Sequence, residues 1–346
     1  MKQLLLLFTT FFILGKTKAA ILNVSNNPAY PTAYSTVMGA VTAASVGDTI
    51  YIYPSAQGYN ENVNLTKRLV LIGGGVFSGR VSTNSTYVQQ INIENTAANG
   101  TVIMGIDIYS YLRIGYSNGI QHQNITITDC KFREGSDGIF INVSNLLFEN
   151  NIVPQHCSLN LSSIISSSTI IRNNLFFSAI KLASGSQATI ENNVFMSNDN
   201  SIFAFDGYYN LSNCVVKNNI FYKMNPAASY ATINTQFSSN IHYLTNSSIP
   251  NTGSSSGNIN ADPKFVNVPT VGAANFSLAH NYKLQLNSPG KNAGTDGTDL
   301  GVWGGLFPIN SFFEPPIPRV IDIKLTNATV PVGGQLQVTI KATKAQ

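Results

Sequence analysis

Charge is scarce in this sequence. Only 10% of the 346 residues are Asp, Glu, Lys or Arg, and the formal net charge is +4. Three of the basic residues, Lys2, Lys16 and Lys18, sit in an N-terminal stretch with the pattern of a secretory leader. It has a charged start, an apolar run over residues 4–14, and Thr17-Lys18-Ala19 as a small-residue cleavage site. Without residues 1–19 the 20 basic residues fall to 17, against 16 acidic ones. A nearly neutral chain is a poor match for nucleic acid or an anionic membrane surface. No second long apolar run follows, so no transmembrane segment is expected. No Cys lies beside the cleavage site, which argues against a lipid anchor.

Cysteine and histidine are equally sparse. Three Cys (Cys130, Cys157, Cys214) cannot form a fully paired framework, and buried free thiols are the expected state. The four His (His122, His156, His242, His280) have no close ligand spacing, so neither a metal nor any other cofactor is predicted. Between residues 48 and 307 no helical pattern of useful length occurs. Solubility falls to Asn, Ser, Thr and Gly. Eleven Asn-x-Ser/Thr sequons, among them Asn64, Asn124 and Asn210, follow from that composition.

What the sequence does have is a repeated asparagine pair. It ends at Asn151, Asn174, Asn193 and Asn219, each followed by large apolar residues: Ile152-Val153, Leu175-Phe176, Val194-Phe195, Ile220-Phe221. Weaker copies occur at Cys130, Asn240 and Pro263. A spacing near 22 residues, with about three short strands per repeat, predicts an all-β parallel solenoid, a β-helix. Its neighbouring strands then come from successive coils about 4.8 Å apart. Asn suits a sharp bend because it tolerates the left-handed region, and its side chains can hydrogen-bond from coil to coil. The residues before each pair are Thr128, Glu149, Arg172, Glu191, Lys217 and Ser238, which predicts a ladder of alternating charge on one face.

Residues 33–44 have helical spacing, with Ser35 or Thr36 as cap, and are expected to cover the open end of the solenoid before a strand from Thr49 to Tyr53. The organisation predicted is a leader at 1–19, an N-terminal segment with capping helix at 20–47, the β-helix at 48–310, a Pro-rich linker at 311–318, and a two-strand tail at 319–346. That tail is expected to dock on the rod or to begin a larger assembly.

Two segments carry a family resemblance. VGDTIYIYPSAQGYNENVNLTKRLVLIG at 46–73, with Tyr59, Glu61 and Lys67, resembles the entry coil of secreted right-handed parallel β-helix proteins of the pectin-lyase-like superfamily. ADPKFVN at 261–267 and LNSPGKNAGTDGTDLGVWGG at 286–305 resemble the last coils of bacterial members. The resemblance implies a right-handed fold and a secreted or cell-surface location. It leaves activity open, since the superfamily includes lyases, hydrolases, adhesins and proteins of unknown role. The paired Asp with Gly-His-Gly of the galacturonan hydrolases is missing, as is the acidic cluster of the calcium-dependent lyases. Asp137 in GSDGIFIN lacks an adjacent second Asp and reads as a turn residue.

One strand per coil offers a surface. Its inward residues are Leu112/Ile114, Ile139/Ile141, Leu159/Leu161, Ile180/Leu182 and Ile202/Ala204. That turns Arg113, Phe140, Asn160, Lys181 and Phe203 outward in one column, with Thr232 after them. Aromatic faces stack on sugar rings while Asn and Lys hold hydroxyls or carboxylates, so Phe140, Asn160, Lys181 and Phe203 are the expected substrate-binding residues of a polysaccharide or cell-surface glycan. If the protein is instead a lyase or hydrolase acting on an acidic glycan, the candidate catalytic residues are Lys181, Arg113, Asp199 and Asp206, and calcium becomes a possible cofactor. A structural, adhesin-type surface protein is the third reading.

Overall fold

The computed structural model describes residues 19–77, 84–117, 119–133, 138–163, 165–206, 210–228, 231–252, 254–270, 275–309, 319–325, 330 and 332–343. The leader, Asp137 and the Pro-rich stretch at 311–318 lie outside the described residues. The chain winds as a β-helix in which each full turn contributes one strand to each of three columns. The first column is a ten-stranded parallel sheet, from Ile21–Val24 and Thr49–Ile52 to Gln236–Ser238. The second contains Lys131–Phe132, Ile152–Val153, Leu175–Phe176, Val194–Met196, Ile220–Tyr222 and Ile241–Tyr243. The third contains Gly138–Ile141, Leu159–Leu161, Ile180–Leu182 and Phe203–Phe205. Long strands near the start, Tyr59–Leu65, Tyr87–Ile93 and Asp107–Ile114, run through the second and third columns together.

The asparagine pairs form the bend between the first and second columns, and their two members do different work. The first member takes positive φ: Asn150, Asn173, Asn192 and Asn218 lie at 55–59°, with Asp129 and Ser239 at the same place in their coils. The second member builds a continuous ladder. Asn174 Oδ1 accepts from the Asn151 amide (2.8 Å), Asn193 Oδ1 from Asn174, Asn219 Oδ1 from Asn193, Asn240 Oδ1 from Asn219, and Asn258 Oδ1 from Asn240. Each Nδ2 donates to backbone carbonyls of the bend, as Asn174 does to Phe148 and Arg172. Buried amides that would be costly alone are satisfied by their neighbours. Cys130 opens the ladder, its amide donating to Asn151 Oδ1 at 2.9 Å. The ladder ends at Asn258, with Gly257 at the bend (φ 67°). Pro263 is therefore not a repeat anchor, because Phe265–Asn267 leaves the solenoid to pair antiparallel with Asn281–Leu284.

Both apolar residues after each pair are buried, against different cores. Phe176, Phe195 and Phe221 point inward and stack, with centroids 5.1 and 5.0 Å apart. Ile152, Leu175, Val194 and Ile220 point outward into a second core, roofed by Tyr282, Leu284, Leu300, Val302 and Ile309 of the returning C-terminal segment. That segment is pinned to the bends: Asn173 Nδ2 donates to the carbonyls of Val302 and Gly304, and Thr295 and Asn218 bond to each other in both directions. On the first column Glu149, Arg172, Glu191 and Lys217 are consecutive rungs, as their spacing predicts. Arg172–Glu149 closes at 2.5 Å and Lys217–Glu191 at 3.0 Å. All three cysteines are buried thiols outside any disulfide.

At the entry end the helix is Val37–Ala43, capped by Thr36. It does not precede the first strand, since Ile21–Val24 comes before it and pairs with Thr49–Ile52. The three residues that carry the family resemblance hold this end together. The Glu61 carboxylate accepts from the amides of Val37 and Met38, Lys67 Nζ donates to the carbonyls of Thr42 and Ala44, and the Tyr59 hydroxyl donates to those of Val24 and Tyr53. Each end of the helix thus has a side chain of the complementary charge. At the far end Arg319–Leu325 and Val338–Thr343 form a separate two-stranded antiparallel sheet. No helix among the described residues is long and apolar enough to cross a membrane.

Candidate functional site: a belt of cations and aromatic rings

The strand Asp107–Ile114 organises the surface of interest. Val88 pairs with Ile108 but Gln90 pairs with Tyr111, so the strand carries one extra residue at a bulge. Bulges re-aim side chains. Here the first half of the strand pairs with Lys131–Phe132 and the second half with Gly138–Ile141. One strand thereby turns the corner between two columns and presents Tyr109, Tyr111 and Arg113 around it.

On the near side of the corner, Asp107 is buried at 1% exposure and grips Arg133 bidentately, accepting from Nε at 3.1 Å and Nη2 at 2.8 Å. Lys131 Nζ lies 4.0 Å from the same carboxylate. The Arg133 guanidinium is also held over the rings of Tyr87 and Tyr109, with centroids at 5.0 and 5.1 Å. Those two rings meet edge to face at 5.3 Å. The hydrogen bonds to Asp107 raise the Arg133 pKa further, while burial lowers that of Lys131 against the opposing pull of Asp107. Burial also raises the Tyr87 pKa, and its hydroxyl donates to Gln89 Oε1 at 2.6 Å. Arg133 borders two hollows. One, of about 330 Å³, is lined by Gly58, Asn84, Tyr87 and Tyr109. The other, of about 620 Å³, is lined by Phe77, Lys131, Pro154 and Phe276.

Beyond the corner, Asn64, Asn92, Arg113, Phe140, Asn160 and Lys181 are successive rungs of one outward column. The Arg113 guanidinium lies 3.7 Å from the Tyr111 ring centroid and 4.5 Å from that of Tyr116. Tyr116 in turn meets Phe140 at 5.0 Å. The turn that presents Tyr116 is fixed by Glu94, which accepts from the amides of Tyr116 and Ser117. Asn160 Oδ1 accepts from the amide and hydroxyl of Ser162.

Four of the expected residues, Arg113, Phe140, Asn160 and Lys181, thus share one column. Phe203 does not join them. Its rung partner is Asn225, while Phe205 pairs with Ile180, and the Asp206 amide donates to the Ile180 carbonyl. The coil has slid so that Phe205 enters the core edge-on to both Phe195 and Phe221, leaving Ile202 41% exposed rather than inward. Thr232 also leaves the column and pairs with Leu211 in a separate two-stranded ladder. Of the acids, Asp206 follows Lys181 along the face. Asp199 is a turn residue: it accepts from the Ser201 amide, and hydrogen bonds to Ser201 lower its pKa. Arg113 and Lys181 stand three rungs apart, about 14 Å, so these four candidates do not converge on one reacting centre. The members that sequence reasoning missed are Tyr87, Tyr109, Tyr111 and Tyr116, from bulged strands and a turn where simple alternation fails, and Lys131 and Arg133, on and just after a two-residue strand. Their signal was the cluster of Tyr residues around Arg113.

Residues 120–266 match the family model described as the right handed beta helix region. No curated protein matches the chain. With the long parallel sheets already described, the match shows the fold to be an all-β right-handed parallel β-helix.

Proposed function

We propose that this protein is a secreted or cell-surface β-helix protein, akin to the pectin-lyase-like superfamily, that binds a polysaccharide along the belt described above. The observation that carries this reading is the pair of arginines, each placed against two tyrosine rings. Arg133 is also anchored by a buried carboxylate. Rings and guanidinium planes locked in this way offer flat faces for sugar rings and donors for hydroxyls at little further entropic cost. Asn64, Asn92, Asn160 and Lys181 extend polar contacts along the same surface. The belt follows the coil axis, which suits an extended chain better than a single sugar. Binding is favoured over catalysis because the buried carboxylate beside Arg133 and Lys131, Asp107, is committed to Arg133.

Affinity gel electrophoresis against a panel of neutral and acidic polysaccharides tests the reading. At least one polymer should retard the wild-type protein. Tyr111→Ala combined with Phe140→Ala should abolish that retardation without altering the thermal transition. Migration of the double variant identical to wild type in every gel that retards the latter would remove the belt from consideration. Appearance of unsaturated sugar products in the same mixtures would replace binding with lyase activity.

A further inference from the structure

A further concavity lies under the returning C-terminal segment and shares Phe276 and Leu278 with the larger hollow beside Arg133. It encloses about 310 Å³ between Leu175 on the outer face of the second column, the strand Asn281–Leu284 and Trp303. Three aromatic rings, Phe276, Tyr282 and Trp303, line it with Leu278 and Ile309, beside a nearly equal share of polar surface that includes Ser277, His280, Asn281 and Lys283. Tyr282 is only 6% exposed and packs edge to face on Phe265, and Phe276 stacks on Phe77 at 5.1 Å, so the walls are braced from behind. The polar groups gather at one side. Lys283 Nζ stands 4.3 Å above the Trp303 ring centroid, and His280 Nδ1 meets the Tyr282 hydroxyl at 3.2 Å. Among the described residues no Asp or Glu contributes to the lining.

Each feature restricts the ligand. The volume is near the lower limit of small-molecule pockets, about 300 Å³, which fits one ring with a short substituent. Three aromatic walls favour a planar ring, and the polar groups beside them suit a polar substituent on it. A cation at the rim, with no acid in the lining, favours an anionic end on that ring. Burial lowers the His280 pKa, so near neutral pH the imidazole serves as a hydrogen-bonding group and Lys283 supplies the charge.

We propose that this pocket binds a compact aromatic carboxylate, its ring between Phe276, Tyr282 and Trp303 and its carboxylate on Lys283. The site is independent of the glycan reading and stands or falls without it. Trp303 is the sole tryptophan of the chain, so intrinsic tryptophan emission reports on this pocket alone. Titration of the full-length chain with benzoate, phenylacetate or cinnamate should change Trp303 emission saturably, and calorimetry should give the same affinity. Lys283→Met, which keeps the aliphatic stem of an exposed side chain, should weaken binding about tenfold or more. Benzyl alcohol should bind about tenfold more weakly than benzoate. Thr42→Ala, on the exposed face of the entry helix, should leave binding of the aromatic acids unchanged. The proposal is overturned if no aromatic carboxylate gives a saturable signal by either method at millimolar concentration. It is equally overturned if Lys283→Met binds as wild type, or if glucuronate or glucose saturates the pocket while the aromatic acids do not.

Discussion

At the scale of single residues, the bend between the first two columns sets the energetics. Asp129 occupies the position that Asn150, Asn173, Asn192 and Asn218 hold in later coils. It is 2% exposed, one carboxyl oxygen has no partner, and the other accepts only from the Thr128 hydroxyl at 3.0 Å. Burial, with a smaller push from Glu149, raises its pKa to about 7. The folded state therefore holds a proton that the unfolded chain releases near pH 4. Stability should fall as pH rises from about 4 to about 7 and then level off, by at most a few kcal/mol. Asp129→Asn should flatten that slope, matching wild type near pH 4 and exceeding it at pH 8 in urea midpoint. The second member of each pair makes the opposite case. Asn193→Ala leaves the buried Asn174 amide without its acceptor and removes a donor from the carbonyls of Ile171 and Glu191, the latter keeping only the Asn173 amide, and should cost about 3 kcal/mol in chemical denaturation.

At the scale of elements, the returning segment is structural rather than a loose tail, because it roofs an apolar face that would otherwise meet water. Gly301 is the test position. Its φ of 77° is unfavourable for side chains, and a Cβ there would lie 2.8 Å from Ile220 and 3.0 Å from Val194. Gly301→Ala should destabilise by about 1–3 kcal/mol. Because it acts on the roof, it should also expose the second core to dye binding before the rod melts. The sequence showed this element only as a resemblance to terminal coils. Nothing in GVWGG states that it doubles back over Leu175 and Val194, since that contact spans more than a hundred residues. The winding itself was legible because its cause is local and repeated: Asn at each bend, a charge before it, large apolar residues after it. Periodicity placed Glu149, Arg172, Glu191 and Lys217 on successive rungs. It failed at Phe203, where a long turn let the coil slide to bury Phe205, and at Tyr109 and Tyr111, where a bulge breaks alternation. Part of the candidate surface was therefore visible and part hidden, and the hidden part is where the backbone is irregular.

At the scale of the whole molecule, the β-helix is a scaffold whose side chains repeat at the strand spacing, and the belt uses that repeat. From Asn64 to Lys181 the outward column covers six rungs, a span of about 24 Å. A ligand matched to such a surface gains contacts with every added unit until it spans the belt. The cations give the interaction a share of salt dependence, moderated because Arg133 is already paired. The charge balance away from the belt is close to even, so attraction to any polyanion should be weak without the rings. The measurement that tests this account most directly is calorimetry with oligosaccharides of increasing length, cut from whichever polymer retards the protein. The account predicts that affinity climbs with length and then reaches a plateau, and that Tyr111→Ala with Phe140→Ala removes the climb. Affinity independent of length from the shortest oligomer upward, or a climb that survives the double substitution, would contradict it.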